Sequence, residues 1–225
     1  MKKVELILQG ISDGDAIGGP FAMASLVAKT LANDPYDFDA LDKAYRDYYD
    51  SGSFDSGPTF EKVHELMANG YTRSEAVVET HRLFNGSTAG CNPMHRFMVI
   101  AGLDVPYERL DSLARRDARM THHDPIAGTC SSFLIRILRR SLNNEDLVDA
   151  QKSVIEETSP MGLNFRKAWP SKNGFAPEVL CAGIKFAHIK GNGLQQAIAY
   201  AGTNNYCPVV TGALTAAMQT KVINL

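Results

Sequence analysis

The stretch FEKVHELMANGYTRSEAVVETHRL, Phe60 to Leu83, holds two helices and the punctuation between them. Val63, Leu66 and Met67 recur at helical spacing, and Gly70 stands where a helix ends in a left-handed cap. The next helix starts at once. Thr72, with Glu75 three residues on, makes a capping box, and Ala76, Val77, Thr80 and Leu83 continue one face.

The same grammar runs outward in both directions. Pro106 suits a first helical turn, and Leu110, Leu113 and Ala114 lead one face toward Met120, with Arg115, Arg116 and Arg119 as a solvated face and dipole partner. Further helical patterns cover 126–141, 145–157, 177–189, 194–200 and 209–221. No stretch sustains a period of two between turn signals. The reading is therefore all-α: a single compact multi-helix orthogonal bundle over residues 1–225.

Between the helices lie breaks at 10–20, 51–59, 86–96, 121–125, 159–175 and 202–208, which gather Gly, Pro, Asn, Asp and His. Binding chemistry on a helical scaffold belongs in such loops. Residues 159–176 lack periodicity and hold Gly162, Pro170 and Gly174, so they read as a lid-like segment.

Composition excludes several classes. A net charge of -2 with no long Lys/Arg run gives no footprint for duplex nucleic acid or an anionic membrane. The apolar start is interrupted at Glu5 and closed by Gln9 and Gly10, so it reads as neither signal peptide nor membrane span, and a cytoplasmic location is expected. Cys91, Cys130, Cys181 and Cys207 form no CxxC pair and have no His at zinc spacing; they read as reduced, partly buried thiols.

Four of the breaks carry chemistry. GISDGDAIGGP (10–20) projects Asp15 from a tight turn, suited to a metal, a sugar hydroxyl or a helix N-terminus. GSTAGCNPMHR (86–96), THHDP (121–125) and AGTNNY (201–206) follow in order. In this order and spacing they resemble the ADP-ribosylglycohydrolases, whose pattern is a GxxxGDAxGxPxE start, an AGCGPAMR-like segment, THxDPxA and a C-terminal GGDTDT. The resemblance spans roughly residues 10 to 218. It implies a bundle of many helices with a cleft among the loops, and removal of ADP-ribose from a modified side chain or related acceptor.

The family's chemistry, so implied, uses two magnesium ions held by hard oxygen ligands. Asp15 survives from that set. The Glu that closes the first motif falls on Ala22, and the Thr-Asp-Asp-Thr cluster falls on FDSGPT (54–59), which leaves Asp55 and Thr59, with Ser56, as oxygen donors. The two C-terminal aspartates fall on Thr203 and Asn205, and the Thr after them on Tyr206. Most of the anionic charge that offsets dehydration of the ions is gone, so no metal ligand set is assigned and no cofactor is expected. A dinuclear site is not expected; the alternative to an empty site is a single weak magnesium ion on Asp15 and Asp55.

The binding side is better kept. Gly86, Ser87, Gly90 and Asn92 match the loop that wraps diphosphate and ribose, His122 the phosphate-proximal histidine, and Phe175 the aromatic that stacks on adenine. Each also has a structural reading: an ordinary loop, a cap at Asp124 before Pro125, a core phenylalanine. Arg96 reads as the partner of a buried carboxylate. His95 replaces an apolar residue of the family pattern, as a new functional group or an exposed one.

Two functions follow. One is a metal-poor glycosidase acting on an ADP-ribosyl or nucleoside-type substrate, with Asp15 and Asp55 as catalytic candidates and Gly86, Ser87, Gly90, Asn92, His122, Asp124, Phe175, Thr203 and Asn205 binding the substrate. The other is a catalytically silent relative that holds ADP-ribose, a nucleotide or an ADP-ribosylated protein.

Overall fold

The computed structural model describes residues 3–158, 173–202 and 206–219. Among them are twelve α-helices and no strand. In chain order these are α1 (Lys3–Gly14), α2 (Gly19–Thr30), α3 (Phe38–Asp50), α4 (Pro58–Ala68), α5 (Arg73–Leu83), α6 (Asn92–Phe97), α7 (Leu110–Arg119), α8 (Pro125–Leu142), α9 (Leu147–Thr158), α10 (Ala176–Ala187), α11 (Gly193–Ala201) and α12 (Cys207–Met218). No described helix is long and apolar enough to cross a membrane.

Local signals hold where they were strongest. Gly70 ends α4 at φ 93°, and Tyr71 N–H donates to Leu66 O at 3.1 Å. The capping box opens α5: Glu75 N–H donates to Thr72 Oγ1 at 3.4 Å while Thr72 N–H donates to Glu75 Oε2 at 2.8 Å. Pro106 precedes a 3₁₀ turn, Tyr107–Arg109, rather than opening the helix, and α7 begins at Leu110. Arg115 pairs with Asp111 at 2.9 Å, and Arg116 lies 4.1 Å above the Phe38 ring.

Two expected breaks are helical instead. The 10–20 break begins only after Gly14, because Gly10 and Gly14 sit four residues apart on the face of α1 that presses on α12. A Cβ on Gly10 would fall on the carbonyl oxygen of Gly212 and lie 2.6 Å from its carbon; one on Gly14 would fall on the Pro208 carbonyl. Inside the 86–96 break, Pro93 sits in the first turn of the short helix α6, whose residues from Pro93 to Phe97 are buried.

The core runs from α1, α2 and α12 through α6 and α8, with Ile7, Ile11, Met23, Met94, Phe97, Leu134 and Leu214 fully or almost fully enclosed. α8, packed between α7 and α10, is buried along most of its length. The four cysteines are free thiols: Cys91, Cys130 and Cys207 are buried and Cys181 is half-buried. Burial pushes the Cys91 and Cys207 thiols up to about 12, so neither is a ready nucleophile.

Candidate functional site

At one end of the bundle the breaks converge on a cavity of about 590 Å³. Its wall is built from 55–60 at the start of α4, from the 86–92 loop, from His95 on α6, from His122 and Asp124, and from 173–175 with Tyr206.

The 86–92 loop is fixed from two sides. Thr88, fully buried, shares its hydroxyl with His81 Nδ1 at 2.7 Å and accepts the Asp124 N–H at 3.2 Å, which ties the loop to the THHDP segment. On the other side Cys91 N–H donates to Gly174 O at 2.8 Å and Ala176 N–H to Ala89 O at 2.9 Å. This antiparallel bridge sets Phe175, 39% exposed, on the cavity wall rather than in the core. A Cβ on Gly90 would stand 3.1 Å from His122 Nε2, so glycine is what allows the loop to close over that ring.

His122 is buried, with Nδ1 2.8 Å from Thr121 Oγ1. Burial, helped by the Arg96 charge, holds its pKa well below the ordinary imidazole value, so the ring is neutral at pH 7. Asp124 caps α8 by accepting the Ile126 N–H at 2.9 Å, and it also reaches the cavity wall.

Asn92 is held from beneath. Arg96, with no exposed surface, donates through its NH1 group to Asn92 Oδ1 at 2.8 Å, through Nε to Asp117 Oδ2 at 3.0 Å and through its NH2 group to Asp117 O at 2.9 Å. Tyr45 donates to Asp117 Oδ1 at 2.7 Å, and its ring lies 4.7 Å from the guanidinium carbon. The buried carboxylate partner expected for Arg96 is Asp117.

The two acidic candidates differ. Asp15 accepts backbone N–H groups of Ile17 (3.1 Å) and Gly18 (2.8 Å) on Oδ1 and of Phe21 (2.8 Å) on Oδ2, so its carboxylate organises the start of α2 and is not on the cavity wall. Asp55 lines the cavity from a left-handed backbone position, φ 49°, against Gly19. Partial burial, then the nearby Asp15 charge, raise its pKa. Ser56 gives its hydroxyl proton to Glu61 Oε1, and Thr59 is buried on the wall. Thr203 and Asn205 lie outside the described residues, as does 159–172 of the lid-like segment.

Charge on the wall is one-signed. Asp55 and Asp124 are its ionisable acids, and among the described residues it holds no Lys or Arg. Wall residues outside the candidate set include His95, Tyr206, Cys91 and Asn173. His95 is 2% exposed, so of its two sequence readings exposure falls away. A histidine in an otherwise apolar motif position was the available signal.

A family model described as ADP-ribosylglycohydrolase matches residues 8–220. Among solved structures the chain is similar to one described as "ADP-ribosylglycohydrolase-related protein complex", at 21% sequence identity and a TM-score of 0.75, over 96% of this chain and 88% of that one. At that identity the likeness speaks for the fold alone. No curated protein matches.

Proposed function

The chain belongs to the ADP-ribosylglycohydrolase family, and from that premise we propose that it is a hydrolase cleaving a glycosidic bond of an ADP-ribosyl or nucleoside-type compound, with Asp55 as the acting carboxylate and without a magnesium pair. The observation that carries this reading is one cavity, large enough for a ribosyl nucleotide, whose wall Asp55 shares with the loop that ends at Asn92 and with Phe175.

In this reading Gly86, Ser87, Gly90 and Asn92 give close backbone approach to the ligand, Phe175 stacks on a base, and His122, neutral, offers a hydrogen bond without charge. Thr203 and Asn205 are proposed binding residues on the family's pattern, and Asp124 adds an acceptor near the mouth. The Asp55 charge steadies the oxocarbenium-like state as the C–O or C–N bond breaks and its electron pair goes to the leaving group; Asp55 then takes the proton of the water that adds to the sugar carbon and passes it to the leaving group. Asp15 acts through Asp55: its charge helps raise the Asp55 pKa, which makes Asp55 a better base.

A pair of magnesium ions does not fit this donor set. Both Asp15 oxygens are engaged by backbone N–H groups, Ala22 has no side-chain oxygen to give, and among the described residues no three His, Cys, Asp or Glu side chains gather as a metal cluster.

Turnover of ADP-ribosylated arginine and serine peptides and of purine nucleosides, in chelator, tests the proposal. Wild-type hydrolysis, with a loss of about a hundredfold or more in Asp55→Asn, is the expected result for a removed acid–base group. No hydrolysis of any of them, alongside ADP-ribose binding, favours the second reading, a binding protein. That reading draws on the consumption of Asp15 by backbone N–H groups, which leaves Asp55 alone of the two catalytic candidates where glycosidases use two carboxylates.

A further inference from the structure

His81 stands in the last turn of α5, behind the cavity wall, and three sides of its ring meet the segments that build that wall. Nδ1 lies 2.7 Å from Thr88 Oγ1, inside the 86–92 loop. The Cε1–Nε2 edge backs Gly86, where a Cβ would stand 3.8 Å and 3.9 Å from those two atoms. One face lies against the ring of His123, with centroids 4.5 Å apart, and His123 is the residue between the wall residues His122 and Asp124.

The bonds at Thr88 give this contact a direction. Thr88 is fully buried and its oxygen accepts the Asp124 N–H at 3.2 Å, so its own proton needs an acceptor. A buried donor left unpaired is costly, and the nitrogen at 2.7 Å removes that cost. Thr88 therefore gives its proton to His81 Nδ1, and the ring proton sits on Nε2. From its other end α5 reaches the same segment: Arg73, its first residue, donates through its NH1 group to Met120 O at 2.7 Å, just before Thr121 and His122. The helix grips the 120–124 segment at both ends.

Two loops that bind one ligand together must keep their separation to within about 0.5 Å, and side chains behind them supply that rigidity. We propose that His81 is a positioning residue: through Thr88 and the stack on His123 it fixes the 86–92 loop relative to His122 and Asp124, without itself reaching the ligand. This rests on the reading of the cavity as a ribosyl site only for the identity of the ligand.

Nitrogen-15 NMR of the imidazoles, amide hydrogen exchange and titration with ADP-ribose test it on wild type, Thr88→Val, Thr88→Ser, His81→Phe and the double variant His81→Phe/Thr88→Val. In wild type His81 should show a bare Nδ1 and a protonated Nε2. Thr88→Val should speed exchange of the Asp124 amide about tenfold, and Thr88→Ser, which keeps the hydroxyl, should restore it. ADP-ribose should bind about tenfold more weakly to Thr88→Val and to His81→Phe, and no more weakly than that to the double variant, because both changes break one chain of bonds. A proton on His81 Nδ1, an unchanged Asp124 amide in Thr88→Val, or losses that multiply in the double variant would each refute the positioning role while the ribosyl cavity stands. The first of these is read on wild type, so it decides even where a variant does not fold. If wild type binds no ADP-ribose at millimolar concentration, the ribosyl reading falls, and the nitrogen and amide signals still decide whether His81 holds the two segments together.

Discussion

Changing Asp117 to Asn alters one charge and almost no volume, at a point where the structure leaves little room for compensation. The Arg96 and Asp117 side chains have no exposed surface, and Nε lies 3.0 Å and 3.2 Å from the two carboxylate oxygens. Arg96 cannot shed its proton, because a guanidinium stays charged in proteins. Breaking a buried pair from one side costs about 3–5 kcal/mol. Three contacts survive the change: the Asp117 carbonyl, Asn92 Oδ1 and the Tyr45 ring. The expected loss is therefore toward the lower figure, about 3 kcal/mol, out of a total on the order of 5–15 kcal/mol for a domain. For a chain of this size that is a fall in melting temperature of about 6–12 °C. Urea titration and scanning calorimetry on Asp117→Asn measure it. Ligand affinity should fall as well, since Arg96 also orients Asn92. A change below about 1 kcal/mol would refute the argument that this pair is an enclosed, mutually dependent unit.

Gly10→Ala puts a methyl group into the backbone of α12, so it should cost about 1–3 kcal/mol or more, read as a lowered urea midpoint; a variant as stable as wild type would show that α1 and α12 do not meet at Gly10 and Gly212. His64 and His95, each enclosed and with a pKa lowered to about 4, take up protons only on unfolding between that value and about 6.5. The unfolded state then binds more protons, so stability is present above pH 6.5 and falls as the pH drops toward 4, by up to about 3 kcal/mol per histidine. Urea midpoints from pH 7 to 4.5 follow it, and a flat profile would mean that these rings are hydrated.

Helix positions were legible wherever the signal was local. The Thr72–Glu75 box, the Gly70 cap and the Asp124–Pro125 start each depend on atoms a few residues apart, and each is found at its expected position. The helical stretch through Gly10 was not legible. Its glycines are small because Gly212 and the Pro208 carbonyl are close, about 200 residues along the chain, and no local rule distinguishes that from a turn.

The site followed the same division. Loop composition pointed to the 86–92 and 121–125 segments, which share the cavity wall. Asp15 and Asp55 read alike in sequence, because a carboxylate beside glycines can cap a helix or face a ligand. Only the backbone path, which carries the Ile17, Gly18 and Phe21 N–H groups around Asp15, separates the two roles. The ring against which His95 stacks belongs to Tyr206, more than a hundred residues on, a contact no local rule gives.

A crystal of the protein grown with saturating magnesium and soaked in ADP-ribose bears most directly on the central claim. The account predicts ligand density between the 86–92 loop and Phe175, with Asp55 against its ribose and no pair of ions. Two fully occupied ions bound by this protein's own side chains, or a soaked cavity that stays empty of ligand, would contradict it.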